Sequence, residues 1–201
     1  MAGPTTPIEI ISAAAILLGR EPLTTIDTKD KFGVSAQMFY DLLVDSEIAQ
    51  NHWKFCKKEV QLSKVAGFDP DFSAWNAAYD LPADFLALVR LDPNINYQIF
   101  GKRIYTANST ASLKMEYTYN TPVTFWSAPF REYIVYALAA KLAISQALDA
   151  NLAQALMSER NLLRSTAMYI DAQNSPNVPI QRNILIDSRR SGYGISGSGR
   201  L

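Results

Sequence analysis

Residues 129–170 read PFREYIVYALAAKLAISQALDANLAQALMSERNLLRSTAMYI, the longest helical pattern in the chain and the one that decides its fold. Apolar residues recur at four-residue steps from Phe130, and others between them leave few polar positions up to residue 148. A helix that is apolar on most sides must be covered on most sides, by its own domain or by another chain. Asp149 breaks the pattern, and Asn151 predicts the N-cap of a second helix. The stretch therefore predicts two helices in an antiparallel hairpin.

The first helix of this hairpin, residues 129–148, has an apolar surface that is too wide for one partner element. We therefore expect it to be buried both by its own bundle and by neighbouring subunits. Four residues, each one turn from the next, are the candidates for subunit packing: Phe130, Ile134, Leu138 and Leu142.

Two more helices are predicted before the hairpin. Thr6 and Pro7 are typical of the cap and first turn of a helix, and Gly19 is typical of the residue that follows its last turn. A second helix is predicted from about residue 34 to 51. Its turns are marked by Met38, Leu42, Val44 or Asp45, and Ile48. We interpret both helices as packing on the hairpin.

Residues 53–124 change from a helical to an alternating period, which predicts strands. The predicted strands cover about residues 53–62, 75–81, 84–91, 97–100, 103–105 and 113–119. Gly101-Lys102 predicts a tight hairpin between the fourth strand and the fifth. These strands would form a small antiparallel β unit inserted between the two pairs of helices.

Residues 173–201 differ in composition from the rest of the chain. They contain four of the nine glycines and four arginines against one acidic residue, a net charge of +3. With too few apolar residues for a core, the segment is predicted to be flexible alone and to serve as a docking peptide. The candidate docking residues are Arg182, Ile184, Leu185, Ile186, Arg189, Arg190 and Tyr193.

The predicted fold class is therefore α+β. Residues 1–52 and 125–172 form an antiparallel helical bundle. Residues 53–124 form the inserted small antiparallel β unit, and residues 173–201 form the extended C-terminal tail.

The overall composition excludes several classes of protein. The chain has 201 residues, 48% of them hydrophobic, so it can bury a core in one domain or two small ones. Nineteen basic and nineteen acidic residues cancel, which gives no electrostatic preference for nucleic acid or membrane. A single cysteine excludes an internal disulfide, and no apolar run reaches the roughly 18 residues that span a bilayer. We expect a soluble protein that is made and used without export.

Candidate sites for chemistry are few. His52 and Cys56 are four residues apart, but a zinc site needs three or four protein ligands and the chain has no further histidine or cysteine. No glycine-rich phosphate loop is present. We therefore expect no metal site and no cofactor.

Acidic residues near two prolines offer one alternative. Glycoside hydrolysis would need one of four aspartates, Asp69, Asp71, Asp80 or Asp84, in a shared cleft with a glutamate such as Glu59. The simpler interpretation is that these aspartates form turns beside Pro70 and Pro82. We expect no catalytic site on this basis.

Five short segments share their order with one known family. They are Ile16-Leu17-Leu18-Gly19-Arg20-Glu21-Pro22-Leu23, Trp53-Lys54-Phe55, Leu81-Pro82-Ala83-Asp84-Phe85, Gly101-Lys102-Arg103-Ile104-Tyr105, and Phe130-Arg131-Glu132-Tyr133-Ile134 followed by Ala139-Ala140. Across about residues 10–172 the chain resembles the tail tubular protein A family, the head-to-tail adaptors of short-tailed, podovirus-type phages. The family has Leu-Pro shortly before its third long helix, where this chain has Ala128-Pro129. The tail after residue 173 has no matching family pattern.

The resemblance implies a mechanical function and no enzyme activity. Such adaptors form a dodecameric ring between the portal protein and the tail nozzle protein, around the DNA exit channel and so close to genomic DNA. Tail fibres are a further candidate partner. The protein would be made in the host cytoplasm and reside in the virion, with no membrane partner. The alternative is a tail-associated peptidoglycan hydrolase, and a DNA-binding module is disfavoured by the zero net charge.

Overall fold

Four helices and two antiparallel sheets of three strands make up the described chain, a mixed α/β fold. The structure, a computed structural model, describes residues 3–27, 30–69, 74–109, 112–146 and 150–174. The helices are α1 (Pro7–Leu17), α2 (Lys31–Gln50), α3 (Ala128–Ser145) and α4 (Ala150–Gln173). The strands are β1 (Lys57–Leu62), β2 (Ala77–Asp80), β3 (Ala87–Asp92), β4 (Tyr97–Phe100), β5 (Arg103–Thr106) and β6 (Leu113–Thr118).

The caps of α1 confirm the sequence prediction. The Thr6 hydroxyl accepts a hydrogen bond from the Glu9 backbone N–H at 3.4 Å, and the Glu9 carboxylate accepts one from the Thr6 N–H at 3.2 Å. This reciprocal pair satisfies two donors that a helix N-terminus otherwise leaves unpaired. At the other end Gly19 adopts a φ of 72°, a conformation that glycine takes without steric cost.

Helix α2 begins three residues earlier than predicted, because Asp30 caps it. The Asp30 carboxylate accepts hydrogen bonds from the backbone N–H groups of Phe32 and Gly33 at 3.0 and 3.1 Å. Of the residues that mark its turns in the sequence, Val44 and Ile48 are buried, whereas Met38 and Leu42 are exposed. The buried face of α2 is Phe32, Gly33, Ala36, Tyr40, Leu43, Val44 and Ile48.

Helix α3 lies at the centre of the helical part and contacts α1, α2 and α4. Ten of its eighteen residues are buried, in keeping with the wide apolar surface of the sequence. The structure corrects the assignment of Phe130, Ile134, Leu138 and Leu142 to subunit packing, because other parts of the same chain already cover them completely. They therefore have no surface to offer a neighbouring chain.

Helices α3 and α4 run antiparallel, as their end contacts require. The Trp53 ring lies 4.7 Å from the Phe130 ring at the start of α3, and the next residue, Lys54, is hydrogen-bonded to Asp171 at the end of α4. Because α4 begins at Ala150, Asn151 lies inside the helix and is not its N-cap.

The β region contains two sheets, where the sequence predicted one unit. One sheet has the order β1-β6-β3 and the other β2-β5-β4, all neighbours antiparallel. Their facing sides share one apolar core that includes Leu62, Tyr79, Ile104 and Met115. Alternation in a sequence identifies the apolar face of each strand but not its neighbours, so it could not separate one sheet from two.

Strand β1 begins at Lys57, four residues later than predicted. Residues Lys54–Cys56 form a 3-10 turn that connects α2 to the sheet, although their alternating pattern predicted a strand. The β4–β5 hairpin and the strand β6 follow the sequence prediction, with Gly101 at a φ of 58° in the turn.

The burial of α3 predicts a large effect of one substitution. Leu138→Ala should lower the free energy of unfolding by about 2–5 kcal/mol, because Leu138 is fully enclosed and the change leaves a cavity. Ile144→Ala on the same helix is the matched control, and its exposed side chain should cost under about 0.5 kcal/mol. Urea denaturation followed by circular dichroism measures both, and a similar small loss for the two variants would contradict the central position of α3.

Candidate functional site

The C-terminal end of α4 meets the connection between α2 and β1, and the contact is made by a buried carboxylate. The side chain of Asp171 is 8% exposed, and its oxygens lie 3.3 and 3.2 Å from the backbone nitrogen of Lys54, which donates the hydrogen bond. The Lys54 ammonium group in turn donates to the Ala172 carbonyl at 2.8 Å. These contacts, 117 and 118 residues apart in the chain, join the helices to the β region.

The environment of Asp171 shifts its ionisation. Burial raises the pKa of the Asp171 carboxyl above its ordinary value, while the hydrogen bond from the Lys54 backbone and the charges of Lys54 and Lys57 oppose the shift. The carboxylate is therefore held by a backbone donor and carries a desolvation cost when ionised. In position Asp171 continues the buried face of α4, four residues after Ala167, and this spacing was the signal that sequence analysis missed.

A surface groove of about 420 Å³ opens beside this contact. It is lined by Gln50, Asn51, His52, Trp53, Lys54, Met168, Asp171 and Ala172. The carboxylate in this groove, that of Asp171, already accepts a hydrogen bond from the Lys54 backbone N–H, so it is not free to act as a general base. The groove thus brings a histidine near a carboxylate without assembling a nucleophile, a base and an oxyanion site.

The structure does not bring His52 and Cys56 together as ligands. The Cys56 thiol is fully buried and donates to the Trp53 carbonyl at 3.0 Å, whereas His52 lines the groove and Cys56 does not. Burial, together with the nearby charge of Asp171, raises the pKa of the Cys56 thiol to about 12. A metal binds the thiolate, so this thiol is a poor ligand. Within the described ranges, no three histidine, cysteine or acidic side chains lie close enough to hold a metal ion.

The proposed catalytic carboxylates are separated by a sheet. Glu59 faces Glu116 across the β1–β6 pair, and the next pair, Lys58 and Tyr117, points to the opposite side. Asp84 lies on that opposite side, where it accepts hydrogen bonds from the Lys58 ammonium at 3.0 Å and the Tyr117 hydroxyl at 2.8 Å. Glu59 and Asp84 therefore cannot share one cleft.

The hydrogen bonds at Asp84 also give it the wrong ionisation for an acid catalyst. Partial burial opposes the shift, but the hydrogen bonds from Lys58 and Tyr117 hold the pKa of Asp84 below its ordinary value. Burial and the bond to Asp84 raise the pKa of Tyr117 to about 12, so the phenol stays protonated as the donor. A glycosidase acid needs a raised pKa.

Two of the three remaining candidate aspartates lie among the described residues. Asp80 forms an ion pair with Arg103 at 2.9 Å on the second sheet. Asp69 lies in the loop after β1, and Asp71 lies outside the described residues.

The outer face of the β1-β6-β3 sheet carries a mixed-charge cluster. Glu116 lies 3.3 Å from Lys57 and 3.6 Å from Arg90, which in turn lies 3.8 Å from Glu59. Arg90 and Glu59 are exposed, and an ion pair of this kind contributes about 0–1 kcal/mol, whereas Lys57 and Glu116 are half-buried. The two basic and two acidic side chains cancel, so the cluster offers no net charge to a ligand.

Large apolar side chains are exposed on two outward helical faces, and sequence analysis did not identify either. Met38 and Leu42 lie one turn apart on α2, and Leu162 and Tyr169 lie two turns apart on α4. Further exposed apolar side chains are Ile16, Tyr97, Phe100, Phe125, Ile144 and Met168. Contiguous apolar surface on a folded protein often marks a contact with another chain.

The tail residues assigned to docking from the sequence, Arg182, Ile184, Leu185, Ile186, Arg189, Arg190 and Tyr193, lie outside the described residues. In the part of the chain that is described, no helix has both the length and the apolar content to span a bilayer.

Comparison of the sequence with models of known protein families finds no match, and comparison with curated proteins finds none either.

The environment of Asp171 predicts a pH-dependent difference between two variants. At neutral pH Asp171→Ala should lower the free energy of unfolding by about 1–3 kcal/mol, because the Lys54 N–H loses its acceptor. Asp171→Asn should be less costly, because an amide oxygen still accepts and no charge is desolvated. A raised folded pKa means that the wild-type side chain stabilises most when protonated, and that this stability is lost as pH rises through the folded pKa.

The advantage of Asn over Asp at this position should therefore grow as the pH rises from about 4, the ordinary pKa of an aspartic acid, towards neutral. Urea titrations of both variants and the wild type across this range measure it. A difference between Asn and Asp that stays constant with pH would contradict a raised pKa, and an Ala variant as stable as the wild type would contradict the joining role of this carboxylate.

Proposed function

We propose that this chain is a structural virion protein, a head-to-tail adaptor that forms a ring between portal and tail nozzle around the DNA exit channel. The observation that carries the proposal is the presence of exposed apolar side chains on different helices: Met38 and Leu42 on α2, and Leu162 and Tyr169 on α4. The segment resemblance given by the sequence points the same way, and it supplies the partners.

Two different contact faces are what a ring requires. In a closed ring of identical subunits each copy meets its two neighbours through different surfaces, one of which fits the other. The outward faces of α2 and α4 belong to separate helices that both pack on α3, so one can face each neighbour. The interior of α3 stays within the subunit, and the contacts between subunits fall to these outer faces.

In this proposal the helices act as an antiparallel bundle that builds the ring wall, and the two-sheet β region projects from it as an inserted unit. The buried contact between Asp171 and Lys54 supports a fixed angle between the two parts. Residues 173–201 extend from the end of α4 and dock on the portal.

The alternative function, a tail-associated peptidoglycan hydrolase, has less support. Its carboxylates Glu59 and Asp84 lie on opposite faces of one sheet, and each faces a basic side chain. Retaining and inverting glycosidases both need their two carboxylates across one cleft, roughly 5–10 Å apart. A zymogram of the purified protein on peptidoglycan tests this directly, and a cleared band that Glu59→Gln removes would favour the enzyme.

The outer face of α4 gives the first test of the adaptor. Leu162→Lys with Tyr169→Lys should abolish ring formation in the presence of a cognate portal, because two charges would be buried between subunits. Gln154→Lys with Asn161→Lys adds the same charge on the flank of the same helix and is the control. Mass photometry reads the ring mass, and circular dichroism checks the fold.

Rings of unchanged mass from the Leu162 and Tyr169 variant would exclude this face from the interface. If neither the variant nor the wild-type chain forms a ring with any portal tested, the adaptor proposal itself fails.

The tail provides the second test. Deletion of residues 174–201 should leave the helical circular dichroism unchanged, because α4 ends at Gln173, while it abolishes capture by immobilised portal. Capture of the truncated chain with wild-type affinity would show that the tail is not the anchor.

A further inference from the structure

The outward face of α2 combines two exposed apolar side chains with two carboxylates. Met38 is 69% exposed and Leu42 is 62% exposed, and both lie on the side of α2 that is opposite its buried residues. Asp41 and Asp45 are exposed on the same face, since residues three, four and seven positions apart are neighbours on a helix. We call these four residues the α2 stripe.

The carboxylates of the α2 stripe accept hydrogen bonds from side-chain amides and form no ion pair within the described part of the chain. Asp41 accepts from the Gln37 side-chain amide at 2.9 Å, and Asp45 accepts from that of Asn120 at 2.8 Å. Neither takes part in the ion pairs found there, whereas Glu47 on the neighbouring face pairs with Arg164. The stripe therefore offers two anchored negative charges next to an apolar surface.

The charge of the chain is divided between its body and its tail. Residues 174–201 hold four of the nineteen basic residues and one of the nineteen acidic ones, a net of +3. The remaining chain holds fifteen basic and eighteen acidic residues, a net of −3. The tail also contains the apolar run Ile184-Leu185-Ile186, with Arg182 before it and Arg189-Arg190 after it. This composition matches the α2 stripe in both charge and hydrophobicity.

The tail begins near the C-terminal end of α2, close enough to reach the α2 stripe. Helix α4 ends at Gln173, and Met168, Asp171 and Ala172 line the same groove as Gln50 and Asn51 at the end of α2. Measured from Gln50 at 1.5 Å per residue, Leu42 lies about 12 Å and Met38 about 18 Å towards the beginning of α2. Ten extended residues from Asn174 span about 33 Å, so Ile184 reaches either side chain with length to spare.

From these observations we infer that, in the free chain, residues 182–190 of the tail bind the α2 stripe of the same molecule. Ile184, Leu185 and Ile186 cover Met38 and Leu42, and Arg189 and Arg190 pair with Asp41 and Asp45. Arginine suits this role because its planar group donates two parallel hydrogen bonds to a carboxylate. The short connection keeps the effective concentration of the segment high at the stripe.

This inference goes beyond the proposed function, since it concerns the chain before any assembly. Where the adaptor ring forms, a neighbouring subunit on the α2 face would displace the segment and release it for another partner. Binding of the segment to its own α2 also lowers the exposed apolar surface of the free chain.

Disulfide trapping in the full-length chain tests the inference. A Leu42→Cys, Leu185→Cys pair should close within one molecule at least about tenfold faster than a Tyr169→Cys, Leu185→Cys pair. Tyr169 is a strict control, because its 66% exposure matches that of Leu42 and it is closer to the start of the tail. The native Cys56 thiol is buried and stays in place. Mass spectrometry of the linked peptides reads the product.

Charge reversal tests whether closure of the 42–185 pair depends on docking of the tail or only on its closeness to α2. Asp41→Lys with Asp45→Lys should slow closure of the 42–185 pair at least about fivefold, and addition of Arg189→Asp with Arg190→Asp should restore it. Circular dichroism verifies that each variant is folded. The helix caps and core contacts of α2 do not involve these two aspartates.

Equal closure rates for the two cysteine pairs would overturn the inference. A closure rate of the 42–185 pair that is unchanged by charge reversal would overturn it as well. Linked dimers that form in proportion to protein concentration would place the segment on a second copy and would also overturn it. None of these outcomes depends on ring formation, so failure here leaves the adaptor proposal to its own tests.

Discussion

The apolar surface of α3 is the constraint on which the rest of the structure depends. Ten of its eighteen residues are buried, so other elements must surround it. Helices α1, α2 and α4 all contact it, and the aromatic rings of Trp53 and Trp126 pack on Phe130 at 4.7 and 5.0 Å. The residues before β1 and after β6 thus take part in the same core. The burial of α3 therefore positions α1, α2, α4 and the two ends of the β region.

The contact between Asp171 and Lys54 shows how the β region is held to this core. A backbone donor at the start of the 3-10 turn needs an acceptor once it is buried, and α4 supplies a carboxylate from 117 residues away. The cost of desolvating that charge is the reason its pKa is raised. This desolvated charge lies where the end of α4 meets the end of α2 and the 3-10 turn that leads to the first sheet.

The apolar and charged groups that remain on the surface bear on the function of the chain. Glu59, Asp80 and Asp84 each pair with a basic side chain, and a sheet separates Glu59 from Asp84, whereas exposed apolar side chains are present on the outer faces of α2 and α4. Such a distribution favours contacts between chains over chemistry. The opposite net charges of body and tail add a second attraction, one that weakens as salt screens it.

Local signals in the sequence predicted the type and approximate bounds of most elements, because caps, glycines and apolar periods act between residues close in the chain. Thr6, Gly19, Gly101 and the alternation of β6 each predicted a feature that the structure contains. The folded chain was needed to show which strands share a sheet, that Glu59 and Asp84 lie on opposite sides of a sheet, and that Phe130 and Leu138 are covered within one chain. It also showed that Met38 and Leu42 are exposed and that Asp171 caps a distant turn. These are properties of neighbours far apart in the chain, and a local pattern records that a face is apolar without recording what covers it.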